Sequence, residues 1–192
     1  MNTSTDVIRS FVAVKVPSNV LAEVEKYIQQ LKQLTQDIRW VRPAAIHITL
    51  KFLGENSPDV TDQVANKLQD VSGLLPPFEL TVKGTGCFPN RKRPRVFWIG
   101  LEPDADNSLF RLHQWIDINL KPLGFAREKR RFSAHLTMGR VKTQSDLTPV
   151  FSYMDTNSFL PCTFRVKSII LMKSQLQPSG AVYTPIQSYP LS

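Results

Sequence analysis

Long apolar runs are missing from this chain. No stretch approaches the roughly 20 apolar residues that a membrane-spanning helix needs, so no membrane span is expected. Cysteine is scarce: Cys87 and Cys162 stand far apart, outside any C-x-x-C spacing. A structural zinc site takes about four ligands at short spacings, so no metal site is expected. Two distant cysteines in a reducing compartment are expected to be buried thiols. No G-x-S-x-G, G-x-G-x-x-G, P-loop or H-E-x-x-H pattern occurs, which leaves hydrolase-elbow, dinucleotide, ATP-driven and zinc-peptidase chemistry without a signal. The stretch Met1 to Val7 is polar and carries Asp6. It does not read as a secretory leader, and a cytoplasmic location is expected. Histidine is rare too, with only His47, His113 and His135.

What is present is a folding composition with a charge bias. Apolar residues make up 42% of 192, enough for one compact domain. Lys and Arg outnumber Asp and Glu by 24 to 16, a formal net charge of +8. Such a balance favours polyanionic partners. Two clusters concentrate it: Arg91, Lys92, Arg93 and Arg95, then Arg127, Lys129, Arg130 and Arg131, just ahead of His135. Each is read either as a phosphate contact or as a solvated loop.

The chain repeats one order of elements. Ser10 to Val16 alternates as a strand, and Val20, Val24, Tyr27, Ile28 and Leu31 fall at helical spacing. A strand follows over Ile46 to Leu53, ended by Gly54, then a helix over Pro58 to Val71 and a strand from Phe78 to Gly84. The second half runs likewise. It has a strand over Val96 to Leu101 and a helix to about Leu123, capped by Asp106 or Asn107. Then come a strand over Ala134 to Val141, a short helix near Leu147 to Met154 and a strand over Phe164 to Met172. Phe11 precedes His47 by 36 residues and Phe97 precedes His135 by 38. The expectation is an α+β fold, a single bilobal domain over 1–192. Its repeat units are 9–86 and 95–174, with a C-terminal hairpin and a pseudo-twofold axis.

Both repeats carry H-x-T on a strand: His47-Ile48-Thr49-Leu50 and His135-Leu136-Thr137-Met138. Side chains at i and i+2 of a strand share a face, so each strand offers one imidazole and one hydroxyl together. Hydrolysis of a phosphodiester by side chains alone needs a proton acceptor for water, a proton donor for the leaving oxygen, and donors for the charged oxygens. Histidine, with an unperturbed pKa near 6.5, serves the first two roles, and threonine hydroxyls the third. The symmetry of the repeat leaves open which imidazole is acid and which is base. His113 sits on the expected helix and reads as structural or surface. Phe11, Trp40 and Phe132 read as core aromatics or as platforms for a base.

The stretch from Arg39 to Glu55, with Trp40, Pro43, His47, Thr49 and Gly54, resembles the signature of the 2H phosphoesterase superfamily. Within it, the chain is similar to the bacterial and archaeal RNA 2′,3′-cyclic phosphodiesterases, also described as 2′-5′ RNA ligases. Arg9 to Val14, Arg131 to Arg140, and Leu171 to Leu176 with Gly180 and Tyr183 extend the likeness over nearly the whole chain. The resemblance implies antiparallel sheets facing a central cleft with helices outside, and metal-independent opening of an RNA 2′,3′-cyclic phosphate end to a 2′-phosphate. It implies His47 as proton donor, His135 as proton acceptor, Thr49 and Thr137 as phosphate-binding, and Arg140 as added positive charge, with no cofactor. RNA ends or small cyclic nucleotides are the expected partners, and a monomer is expected. Ligation forming a 2′-5′ bond, or a non-catalytic RNA-end-binding module, are the other readings. Folds host many functions, so the scaffold alone does not separate these.

Overall fold

Four α-helices and nine strands build the fold in a computed structural model, which describes residues 7–102, 104–143, 145–178 and 180–192. Of the polar stretch Met1 to Val7, residues 1–6 lie outside the described residues. The elements are β1 (Ile8–Lys15), α1 (Ser18–Lys32), β2 (Ile38–Trp40), β3 (His47–Asn56), α2 (Pro58–Leu68), β4 (Phe78–Phe88), β5 (Val96–Leu101), α3 (Ser108–Asn119), β6 (His135–Val141), α4 (Thr148–Thr156), β7 (Cys162–Val166), β8 (Ser168–Gln177) and β9 (Gly180–Pro190).

Every strand joins one antiparallel sheet in the order β7-β4-β5-β6-β3-β1-β8-β9, with β2 also paired to β6. The two H-x-T strands, β3 and β6, meet at its centre through a single pair, Ile48 with Leu136. Both side chains are fully buried. Each burial of this kind is worth about 1.5–3 kcal/mol, so the central row is a strong anchor. The apolar stripes of all four helices join one core with this face. Val20, Val24, Ile28 and Leu31 come from α1, Val64 and Leu68 from α2, Leu112 and Ile116 from α3, and Val150 from α4.

The repeat is real, but its halves exchange strands. β4, from the first repeat, pairs with β5 of the second. β8, from the second repeat, pairs with β1 of the first. The segment expected as one strand over Phe164 to Met172 is broken at Lys167 into β7 and β8, which sit at opposite sides of the sheet. Structural equivalence also moves the expected match by one position. Val14 faces Ile48 and Val12 faces Lys51, as Ile99 faces Leu136 and Phe97 faces Gly139. Val12, not Phe11, therefore corresponds to Phe97.

Both central strands carry an extra residue just after the threonine. Register shifts fall between Val12 and Ala13 against β3, and between Phe97 and Trp98 against β6. Such bulges re-aim every side chain beyond them. Strict alternation from Ile48 and Leu50 would carry Phe52 into the core; the bulge instead leaves it 68% exposed and buries Lys51. In β6 the same device turns Gly139 to the core, where an added Cβ would lie 2.6 Å from Ile38 Cγ2 and 2.9 Å from Trp40 Cε3. Arg140 is then paired with Val96, on the row pattern of Trp98 and Thr137.

Two smaller expectations change. The amide of Ser108 at the start of α3 is capped by Asp104, not by Asp106 or Asn107. Asn107 takes a left-handed backbone with φ of 51° and makes no side-chain cap. Cys87 and Cys162 are free but only half-buried, because each lies near the end of a strand, on β4 and β7.

Candidate active site

His47 opens β3 and His135 opens β6. With Ile48 opposite Leu136, antiparallel register sets His47 across from Thr137 and Thr49 across from His135. Period-two alternation puts these four side chains on the face opposite the buried Ile48–Leu136 row. All four are half-buried.

The imidazoles are held in matching ways. His47 Nδ1 lies 2.9 Å from the Ala45 carbonyl, and His135 Nδ1 lies 2.7 Å from the Ser133 carbonyl, each two residues back. A carbonyl oxygen only accepts, so each Nδ1 carries the proton. The free Nε2 is then a lone pair in the neutral ring and a donor in the charged one. Each strand thus presents one nitrogen able to take or give a proton.

Their surroundings differ. The ring of His47 stacks on Phe11 with centroids 4.6 Å apart, and Tyr183 of β9 meets it edge-on at 5.0 Å. His135 has Phe88 at its edge, 5.1 Å away. Burial is the main cause that lowers the His47 pKa from 6.5 to about 4; the Ala45 carbonyl opposes it and the charge of His135 adds to it.

This shift carries a stability consequence. Below pH 6.5 the unfolded chain protonates this imidazole while the folded chain resists until about pH 4. Stability therefore falls as pH drops through that window, by about 3 kcal/mol in all. His47→Gln removes that part of the acid loss. Denaturant melts of both proteins at pH 7 and pH 4.5 check this, and equal acid losses would contradict the buried-imidazole account.

A cleft of about 2050 Å³ opens beside the central strands, and Thr49 and His135 line it together with Phe52 and Phe88. His47 and Thr137 are not among its lining residues; they lie next to Thr49 and His135 on the same sheet face. Arg140 is exposed on β6, beyond the bulge, and does not line the cleft. Among the described residues, no three of His, Cys, Asp and Glu are grouped to hold a metal ion.

Of the three candidate base platforms, Phe11 and Trp40 are engaged in the core, while Phe132 lines the cleft. Phe11 is 1% exposed, sealed under His47 and Tyr183. Trp40 packs against the core, and Phe132 stacks on His113 at 4.0 Å. His113 is buried on α3, its Nδ1 2.9 Å from the Leu50 carbonyl, which makes it structural. Arg91 leaves its cluster to form a two-pronged pair with Asp155 of α4. Phe52, Phe88 and Tyr183 were missed as site residues from sequence. Only the buried position of Lys51 betrays the bulge that exposes Phe52.

A buried ion pair supports β3 from behind. Lys51 Nζ donates to Asp117 of α3 and to the Ala126 carbonyl. Burial pushes the Asp117 carboxyl up, but hydrogen bonds from Lys51 and the Glu128 amide, with the Lys51 charge, outweigh it and hold the pKa below the ordinary value.

The sequence profile of the LigT-like phosphoesterases matches twice, over residues 14–98 and 99–183. A protein from Archaeoglobus fulgidus named RNA 2′,3′-cyclic phosphodiesterase is 34% identical over 182 residues, which cover 94% of this chain and 99% of that one. A protein of the same name from Methanothermobacter thermautotrophicus is 30% identical, with 96% and 99% covered. A crystal structure from Thermus thermophilus superimposes with a TM-score of 0.79 at 25% identity, covering 95% of this chain and 97% of that one. The fold of E. coli LigT, solved with 3′-AMP, matches with a TM-score of 0.78 at 22% identity, covering 97% and 99%. With both of its H-x-T strands inside these paired matches, the chain belongs to the LigT-like phosphoesterase family.

Proposed function

We propose that this protein hydrolyses RNA ends that carry a 2′,3′-cyclic phosphate, leaving a 2′-phosphate. The observation that carries the reading is the pair of imidazoles, each with Nδ1 tied to a carbonyl and Nε2 free, on one sheet face with two threonine hydroxyls. The names of the A. fulgidus and M. thermautotrophicus relatives support the substrate class.

His135 takes a proton from water as it attacks phosphorus. His47 gives a proton to the departing 3′ oxygen. Thr49 and Thr137 donate to the non-bridging oxygens as charge builds there. Arg140 adds positive potential from the strand beyond the bulge. No metal is required for these steps, since the side chains supply both proton transfers.

His47 must then hold a proton that burial discourages. The substrate supplies the remedy. One negative charge about 4 Å away is worth about 4 kcal/mol at an effective dielectric near 20. That equals about three pKa units, enough to lift His47 from about 4 to near neutrality. Anion binding is therefore linked to proton uptake and weakens as pH rises.

The test is an end-group assay in excess EDTA on an oligonucleotide ending in a 2′,3′-cyclic phosphate. A 2′-phosphate product is expected. Loss of activity in EDTA would contradict the metal-free chemistry, and a 3′-phosphate product would contradict the assigned leaving oxygen. An NMR titration of His47 with and without inorganic phosphate decides the roles. A pKa that stays about 4 in both would exchange acid and base between the two histidines.

A further inference from the structure

The two bulges are locked by different means. Their extra residues are Leu50 on β3 and Met138 on β6, which pair in no ladder among the described residues. The backbone groups of such a residue must find partners outside the ladder. The Met138 carbonyl accepts from the Val41 amide at 2.8 Å, because the chain runs on from β2 alongside β6. The second repeat has no counterpart of β2. Residues 120–134, all described, form no strand between α3 and β6. The Leu50 carbonyl accepts instead from a side chain, Nδ1 of His113 on α3, at 2.9 Å.

The same ring reaches toward the other catalytic strand. It stacks on Phe132 with centroids 4.0 Å and planes 9° apart. Phe132 adjoins Ser133, whose carbonyl keeps the proton of His135 on Nδ1. One helical turn beyond His113, Asp117 accepts from Lys51 of β3 and from the Glu128 amide ahead of β6. Both side chains of α3 are buried. A site keeps its geometry only as well as the packed and hydrogen-bonded groups behind it. The role of His113 is structural in kind, but what it holds is the site.

We propose that His113 is a positioning residue for the reaction. Its imidazole stands in for a missing strand. It locks the bulge that follows Thr49 and so fixes how that hydroxyl enters the cleft. Through Phe132 it also steadies the Ser133 carbonyl that sets the His135 tautomer. For turnover, this rests on the cyclic-phosphate reading of the same site.

Three substitutions separate the two contacts. His113→Asn keeps a donor for the Leu50 carbonyl and loses the stack. His113→Phe keeps the stack and loses the donor. His113→Ala loses both. Val24→Ala, a buried change on α1, serves as the control for lost stability alone. Steady-state kinetics on a cyclic-phosphate oligonucleotide are measured well below each melting temperature. The ring ¹⁵N signals of His135 are recorded without substrate. His113→Ala lowers kcat by at least about tenfold with little change in KM, since small misplacements of reacting groups are costly. Its His135 signals move from a pure Nδ1–H pattern toward a mixture of tautomers. His113→Phe keeps the wild-type His135 pattern, His113→Asn does not, and each retains more kcat than His113→Ala. Val24→Ala changes neither readout.

Wild-type kcat in His113→Ala, or an equal loss in Val24→Ala, would overturn the proposal. Should His113→Ala not fold, the other two decide: wild-type kcat and wild-type His135 signals in both would overturn it. A wild-type protein that opens no cyclic phosphate, while its His135 signals still shift in His113→Asn, would instead overturn the hydrolytic reading and leave the positioning role standing.

Discussion

Replacing His135 or His47 with alanine lowers turnover of a cyclic-phosphate oligonucleotide by at least about 10²-fold in either case, with little change in KM. A positioned proton transfer contributes about 10²–10⁴-fold, and each alanine removes one of the two. The threonines, the basic loops and the fold remain, so substrate still binds. Because the two imidazoles act on one transition state, the double variant falls little below the single ones. Rate measurements at pH 7 on the four proteins check this. Full activity in either single variant would remove the two-histidine mechanism. Independent, multiplying losses would show that the histidines do not act in one step.

Lys51→Ala costs about 3 kcal/mol of stability, because it leaves the buried Asp117 carboxylate beneath β3 with only the largely exposed Arg127 as counter-charge. For a chain of this size about 1 kcal/mol corresponds to about 2–4 °C, so the melting temperature drops by roughly 6–12 °C. Replacing both partners, Lys51→Met with Asp117→Leu, recovers most of the loss, since it leaves no buried charge unpaired and releases only the largely exposed Arg127. The pH dependence follows from the depressed carboxyl. Its contribution is present above the ordinary Asp range and is lost as pH falls through the lower folded value. Thermal melts of the three proteins decide the matter. A double variant as unstable as Lys51→Ala would mean that packing, rather than charge pairing, sets the cost.

Much of the site was readable because its rules are local. The helical spacing from Val20 to Leu31 and the helix over Pro58 to Val71 agree with α1 and α2 to within a few residues. The H-x-T strands appear where alternation placed them, and His47 with Thr49, and His135 with Thr137, share faces for the same reason. What could not be read was non-local. Nothing near Phe164 to Met172 says that its two ends pair with strands on opposite sides of the sheet, since that choice depends on which edges the rest of the chain leaves free. The bulges after Thr49 and Thr137 likewise depend on the partner strand, and they decide that Phe52 is exposed and Lys51 buried.

From the sequence alone came a duplicated unit and two equivalent imidazole–hydroxyl pairs, because a strand's period of two needs no knowledge of its neighbours. The tertiary structure made the pairs unequal. Phe11 and Tyr183, far apart in the chain, close over His47 and lower its pKa. Desolvation sums over every atom that excludes water, whatever its place in the sequence, and that sum exists only in the fold.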